Sequence, residues 1–337
     1  NLVSSIEPSR FNMFQPADHP QFPWVGMVFA PPIIGIWYWC TDQYIVQRVL
    51  SASDIHQARK GTIFAGYLKL LPIFMFFIPG LIAYAMSKSG QMSYGSSDQV
   101  FPTLVRELLP TGMRGLVAGG LLAALMSSLS SVFNSCSTLF TMDIYKKLNP
   151  DASEKKLVLV GRIATGVVVL SGILWIPFMK AVSGGGLYTY LQSVQAYIAP
   201  PIASVFLLGL FWSRINATGA FTALVSGFGA GMIRLGLEIN KNSLDSSGAL
   251  YAIADLNFLY FAIVSFVACI FILIAVSMVT NEPDYEKIKG LTYDTMNKDD
   301  KPEKELDDYS NDKTHSYVIL VILALILIYF SPLGIGG

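Results

Sequence analysis

The chain has 337 residues, of which 53% are hydrophobic and only 14% charged, and its acids and bases balance to zero net charge. These values exclude an intrinsically disordered chain and argue against an ordinary soluble enzyme. Apolar runs of 18 or more residues recur along the whole length, which argues for an all-α, polytopic membrane protein embedded in a lipid bilayer. Balanced charge gives no reason to expect a nucleic-acid partner.

The chain opens in a polar segment, residues 1–22, expected to be an extracellular loop. It has no initiator Met and no secretory signal, so an N-terminal part is expected to precede it. Eight spans follow, over about 23–46, 62–86, 115–142, 157–179, 187–212, 219–237, 256–279 and 317–331. Fifteen of the 23 Lys and Arg fall on one side if the loop after the first span is cytoplasmic, seven fall on the other, and Lys69 lies within a span. That asymmetry fixes the orientation.

The first span contains Pro31, Pro32 and Gly35, and then Trp37-Tyr38-Trp39-Cys40-Thr41-Asp42-Gln43. The prolines and glycine predict a helix broken at membrane depth, which is tolerated only where protein or a wet cavity receives the freed backbone groups. Aromatic faces followed by polar groups suit a sugar ring. The alternative is a proline kink followed by an interfacial aromatic belt.

The second span holds Lys69, in Gly66-Tyr67-Leu68-Lys69-Leu70-Leu71-Pro72. Nine residues of helix beyond Lys60 place it about 14 Å deep, near the middle of a ~30 Å hydrocarbon core. A lysine there costs at least ~2.5 kcal/mol, so it must face a wet cavity or a polar partner. Residues 90–113 are polar, with an amphipathic piece at 102–109 expected on the membrane surface.

The third span carries Ala123-Ala124-Leu125-Met126-Ser127-Ser128-Leu129-Ser130-Ser131. Small and hydroxyl residues permit close helix packing. The functional alternative is a sodium site, because Ala124, Ser127 and Ser128 have the i, i+3, i+4 spacing that puts a carbonyl and two hydroxyls on one face. A hard cation wants several oxygens, so further ligands must come from another helix. In the fifth span Gln192 follows the glycine run 184–186, and either reaches a polar ligand or makes an interhelical hydrogen bond. Pro200-Pro201 is expected to kink that helix. The loop 280–316, expected to be cytoplasmic, interleaves lysines with acids and reads as disordered. Cys40, Cys136 and Cys269 all fall in apolar stretches, the three histidines are scattered, and no nucleophile–base pair or metal cluster points to an enzyme.

The stretches Trp37–Gln43, Gly66–Leu70, Ser127-Ser128-Leu129, Asn134 through Tyr145, Ala199-Pro200-Pro201 and Phe206–Trp212 together resemble the sodium/glucose cotransporter branch of the sodium:solute symporter family. The resemblance runs through nearly all of the chain. It implies the second half of a ten-helix inverted-repeat core of the leucine-transporter type, starting at the sixth core helix and occupying residues 23–212. Residues 213–279 and 317–337 then form additional C-terminal helices. It implies that Tyr38 is an inner gate stacking on the sugar with Trp39 beside it, and that Lys69 and Gln192 bond sugar hydroxyls. It further implies that Ala124, through its carbonyl, with Ser127 and Ser128 binds the coupling Na⁺, and that Ser130 and Ser131 match the region where some members hold a second sodium. Gly35 departs from the pattern, since relatives carry Asn, Thr or Ser there, so one sugar contact is absent. The first core helix, expected to supply the other sodium ligands and several sugar ligands, lies in the missing N-terminal half. The implied activity is sodium-driven symport of a sugar across the plasma membrane (the inner membrane if bacterial). The other possibilities are a sugar sensor or sodium-leak protein without coupled uptake, a transporter of another small solute, and a membrane protein whose polar residues serve packing alone.

Overall fold

The computed structural model describes residues 6–182, 186–296 and 305–337, with no side-chain detail for 178, 180–182 and 305–310. Gly184 and Gly185 of the glycine run, Lys298, Lys301 and Lys304 of the charged loop, and the side chain of Lys180 lie outside what is described. Among the described residues there is no β-strand. The longer helices are α1 (Trp24–Ile36), α2 (Gln43–Leu50), α3 (Ile55–Pro72), α4 (Ile78–Lys88), α5 (Val100–Leu108), α6 (Thr111–Thr138), α8 (Glu154–Val182), α9 (Leu187–Phe211), α10 (Ala217–Ile239), α12 (Phe258–Val279) and α14 (Glu305–Tyr329). Short helices α7 (Lys146–Leu148), α11 (Ala249–Asp255) and α13 (Tyr285–Ile288) lie between them.

Eight helical segments are long and apolar enough to cross a bilayer, one for each span expected from the sequence. Some run past the expected ends, the second covering Ile55–Lys88, 34 residues, and the third Thr111–Leu148, 38 residues, whereas the first stops at Thr41, short of the expected residue 46. Hydropathy marks only the part facing hydrocarbon, whereas hydrogen-bonded turns continue into the polar interface. Three segments pass through π turns, at Trp37–Thr41, Ile73–Phe77 and Leu139–Tyr145.

The described chain divides into two compact units, one comprising the residues up to Ile73 with Leu191–Gly337, the other Phe74–Tyr190. In the first, α10 packs on α12 and on α9 through glycines. A Cβ at Gly227 would lie 2.5 Å from Cys269 Sγ and 2.6 Å from Pro201, so only glycine permits this approach. Buried Arg234 on α10 bonds the Leu256 carbonyl at 2.9 Å and Glu238 at 3.4 Å, and Tyr197 of α9 donates to the same Glu238 carboxylate at 2.5 Å. The segment before α1 is pinned here: Met13 N–H donates to the Phe330 carbonyl at 2.8 Å, and Tyr260 to the Ala17 carbonyl at 2.7 Å. In the second unit Ala83, Met92 and Leu104 form a small core under the amphipathic α5, and α6 runs against α8.

The charged loop differs from the expectation of disorder. Its first part is held on helix ends: Tyr293 N–H donates to the Leu210 carbonyl at 2.8 Å, and Arg214 reaches the Thr280 carbonyl at 3.2 Å. The last helix begins at Glu305, well before residue 317. Its first turns are hydrophilic but contain good helix formers, so hydropathy places the start late.

Candidate solute and sodium sites

The prolines of the first span do not break it. Each removes one backbone hydrogen bond, yet α1 continues through Pro31, Pro32 and Gly35 and leaves α geometry only at Trp37–Thr41. There the Thr41 hydroxyl donates to the Trp37 carbonyl at 2.6 Å, which satisfies an oxygen exposed by the wider turn. Asp42 then starts α2 by accepting from Tyr44 N–H at 3.3 Å. The break therefore falls on the aromatic residues themselves.

That turn and α3 bring three side chains to one place. The Tyr38 and Trp39 rings meet edge to face, 5.2 Å between centroids and 88° between planes. The Tyr38 hydroxyl makes a short hydrogen bond with that of Tyr44. From α3, Lys69 Nζ lies 5.3 Å from the centre of the Trp39 ring. Asp54 starts that helix by accepting from Gln57 N–H at 2.8 Å. Its carboxyl is held below the ordinary value by that bond and by the Ser53 hydroxyl. Tyr38 is half-buried, Trp39 is 44% exposed, and Lys69 is exposed. Among the described residues Lys69 has no ion pair, and its ammonium group lies against the aromatic face of Trp39. One turn away, the Gln43 side-chain oxygen is buried with no donor.

Gln192 lies on α9 in the same unit, half-buried. Among the described residues no hydrogen bond or ring contact joins it to Tyr38, Trp39 or Lys69. The structure thus brings together three of the four expected solute residues.

Ala124, Ser127 and Ser128 sit on α6 in the other unit, and all three are exposed. Among the described residues neither serine hydroxyl has a hydrogen bond, and the Ser131 hydroxyl donates to the Ser127 carbonyl at 3.0 Å. Neutral oxygens at this spacing suit a hard monovalent cation, but one helix face supplies too few of them to enclose it.

The pattern of the sodium:solute symporter family matches residues 1–227, from before the aromatic turn to the middle of α10. The chain belongs to the sodium:solute symporter family. It is 41% identical over 303 residues to a sodium/myo-inositol cotransporter 2 of Bos taurus, covering 85% of this chain and 45% of that protein. It is 41% identical over 286 residues to a sodium/glucose cotransporter 1 of Ovis aries, covering 80% and 43%. It is 40% identical over 306 residues to a sodium/mannose cotransporter of Bos taurus, covering 86% and 51%. The chain spans about half the length of these relatives. Membership of a transporter family agrees with the eight spanning helices and with the expectation that the protein is not an enzyme.

Sequence reasoning missed the three π turns. Two lie within or beside expected site segments, and the third, Leu139–Tyr145, lies within a stretch that carries the family resemblance. No residue type signals a π turn; the one legible hint was the density of prolines just before the first, and Pro72 just before the second.

Proposed function

We propose that the protein is a sodium-driven symporter of a sugar or cyclic polyol, acting by alternating access in the plasma membrane, and that this chain carries the second inverted repeat of its core. The observation that carries this reading is Lys69 poised over Trp39 beside Tyr38, inside two spanning segments of a sodium:solute symporter. Relatives named for myo-inositol, glucose and mannose share one solute chemistry, a six-membered ring with apolar C–H faces and a rim of hydroxyls. The Tyr38 and Trp39 faces suit the ring, while Lys69 and Gln192 donate to hydroxyl oxygens. Ala124, Ser127 and Ser128 contribute three oxygens to the sodium site, completed by ligands from the N-terminal half. Sodium held there favours the outward-open arrangement and raises solute affinity, and linkage requires the solute to raise sodium affinity by the same factor.

The test uses the full-length protein in liposomes with an inward sodium gradient. Labelled glucose, mannose and myo-inositol are offered separately, with choline replacing sodium as the control. Uphill accumulation of at least one of them in sodium only is the expected result. Solute binding without accumulation would instead mark a sensor, and sodium flux independent of every solute would mark a leak.

A further inference from the structure

A second cluster of oxygens lies on the seam between α6 and α8, well removed along α6 from Ser127 and Ser128. Its centre is the Gly161 carbonyl, which accepts from the Ser137 hydroxyl at 2.8 Å and the Thr165 hydroxyl at 3.0 Å. Gly161 brings the helices close, since a Cβ there would lie 3.1 Å from Ser137 Oγ and 3.4 Å from Thr141 Oγ1. Thr141 belongs to the π turn Leu139–Tyr145 and is only 6% exposed.

The hydroxyl of Thr141 is buried and has no hydrogen-bond partner. Serines and threonines in membrane helices ordinarily bond the carbonyl four residues back. Thr62, Thr138, Ser171 and Thr222 all do so here, at 2.7 to 2.8 Å. Thr141 does not, and its oxygen faces Gly161 of α8 across the seam, one turn along its own segment from Ser137. An unsatisfied hydroxyl in an apolar setting is unfavourable unless something fills the gap.

We propose that the hydroxyl oxygens of Thr141, Ser137 and Thr165 form a separate site for a sodium ion, with the Gly161 carbonyl orienting Ser137 and Thr165 by accepting their protons. The three hydroxyls offer uncharged oxygens. Ser137 and Thr165 have their protons committed to Gly161, so their lone pairs remain for a cation. Asp143, in the same turn, is paired with Lys147 at 3.7 Å, and neutral hydroxyl ligands suit a monovalent rather than a divalent ion. The positive-inside orientation puts this end of α6, next to Lys146 and Lys147, toward the cytoplasm. The site is then a waypoint for sodium leaving inward. The waypoint role rests on the proposed transport function, whereas the binding does not.

The experiment counts radiolabelled sodium bound at equilibrium to the purified full-length protein without sugar. Thr141→Val removes the oxygen at nearly constant shape and is expected to lower the count by one ion per protein. Thr141→Ser, which keeps the oxygen, should restore it, and Ser137→Ala should repeat the loss if Thr141→Val fails to fold. Combined with Ser128→Ala, the loss should be additive. A full count in both Thr141→Val and Ser137→Ala overturns the site. Loss in Thr141→Val with no loss in Ser128→Ala supports it while removing the sodium assignment at Ser128.

Discussion

The aromatic–lysine cluster and the serine stretch of α6 are assembled in opposite ways. Tyr38 and Trp39 come from the π turn after α1 and Lys69 from α3, and the three meet through side-chain contacts between these two segments. Ala124, Ser127 and Ser128 lie on one helix, exposed, and are related to each other only by helical spacing. A tertiary cluster carries its own geometry, whereas a helix face acquires a ligand shell only when another element closes on it. The first region should therefore respond to substitutions that alter its internal contacts, and the second mainly to loss of a ligand atom.

The largest effect is expected at the cluster. Lys69→Ala in the full-length protein should weaken solute binding about ten- to a hundredfold, the range of a hydrogen bond to a charged group, while insertion and sodium binding persist. Isotherms of labelled solute at saturating sodium check this, and unchanged affinity removes Lys69 from the site. Next in size, Ser128→Ala should raise the half-saturating sodium concentration about fivefold, as expected for one neutral interaction of about 1 kcal/mol. Sodium titrations of uptake measure it, and an unaltered sodium response sinks that assignment.

A smaller change tests whether Lys69 depends on its neighbour. Trp39→Leu removes the aromatic face and should weaken solute binding about two- to fivefold, the scale of an exposed cation–π contact, with Trp39→Phe falling between. Equal behaviour of the two variants would mean that the ring's electrostatics do not matter. The smallest effect concerns Asp54, which starts α3 and lies outside the spanning segment. Because its folded-state pKa is lowered, its contribution to stability is present above the ordinary carboxylate range near pH 4 and is lost as pH falls through the folded value. Thermal unfolding should therefore separate Asp54→Ala from the parent protein slightly at pH 7 and not at strongly acid pH.

Much of the architecture was legible because long apolar runs have few alternatives. All eight spans correspond to helices, and the amphipathic stretch near residue 102 is α5. The ends were less legible, since α14 starts in charged residues that hydropathy discards. Lys69 stood out because a lone cation in an apolar run demands a reason, but its contact with Trp39 depends on how α3 lies against the aromatic turn. The prolines at 31 and 32 were misread as the break because their local effect is easy to state, while the tolerance of the surrounding turns is not. Thr141 gave no signal at all. Its unpartnered hydroxyl follows from a π turn and from Gly161 twenty residues away.

The coupling of solute and sodium is tested most directly by measuring the sodium dissociation constant of the full-length protein with and without saturating solute, and the solute dissociation constant with and without saturating sodium. A symporter of the proposed kind gives the same factor, greater than one, in both comparisons. Constants unchanged by the other ligand would show that the two sites are not coupled and would contradict sodium-driven symport.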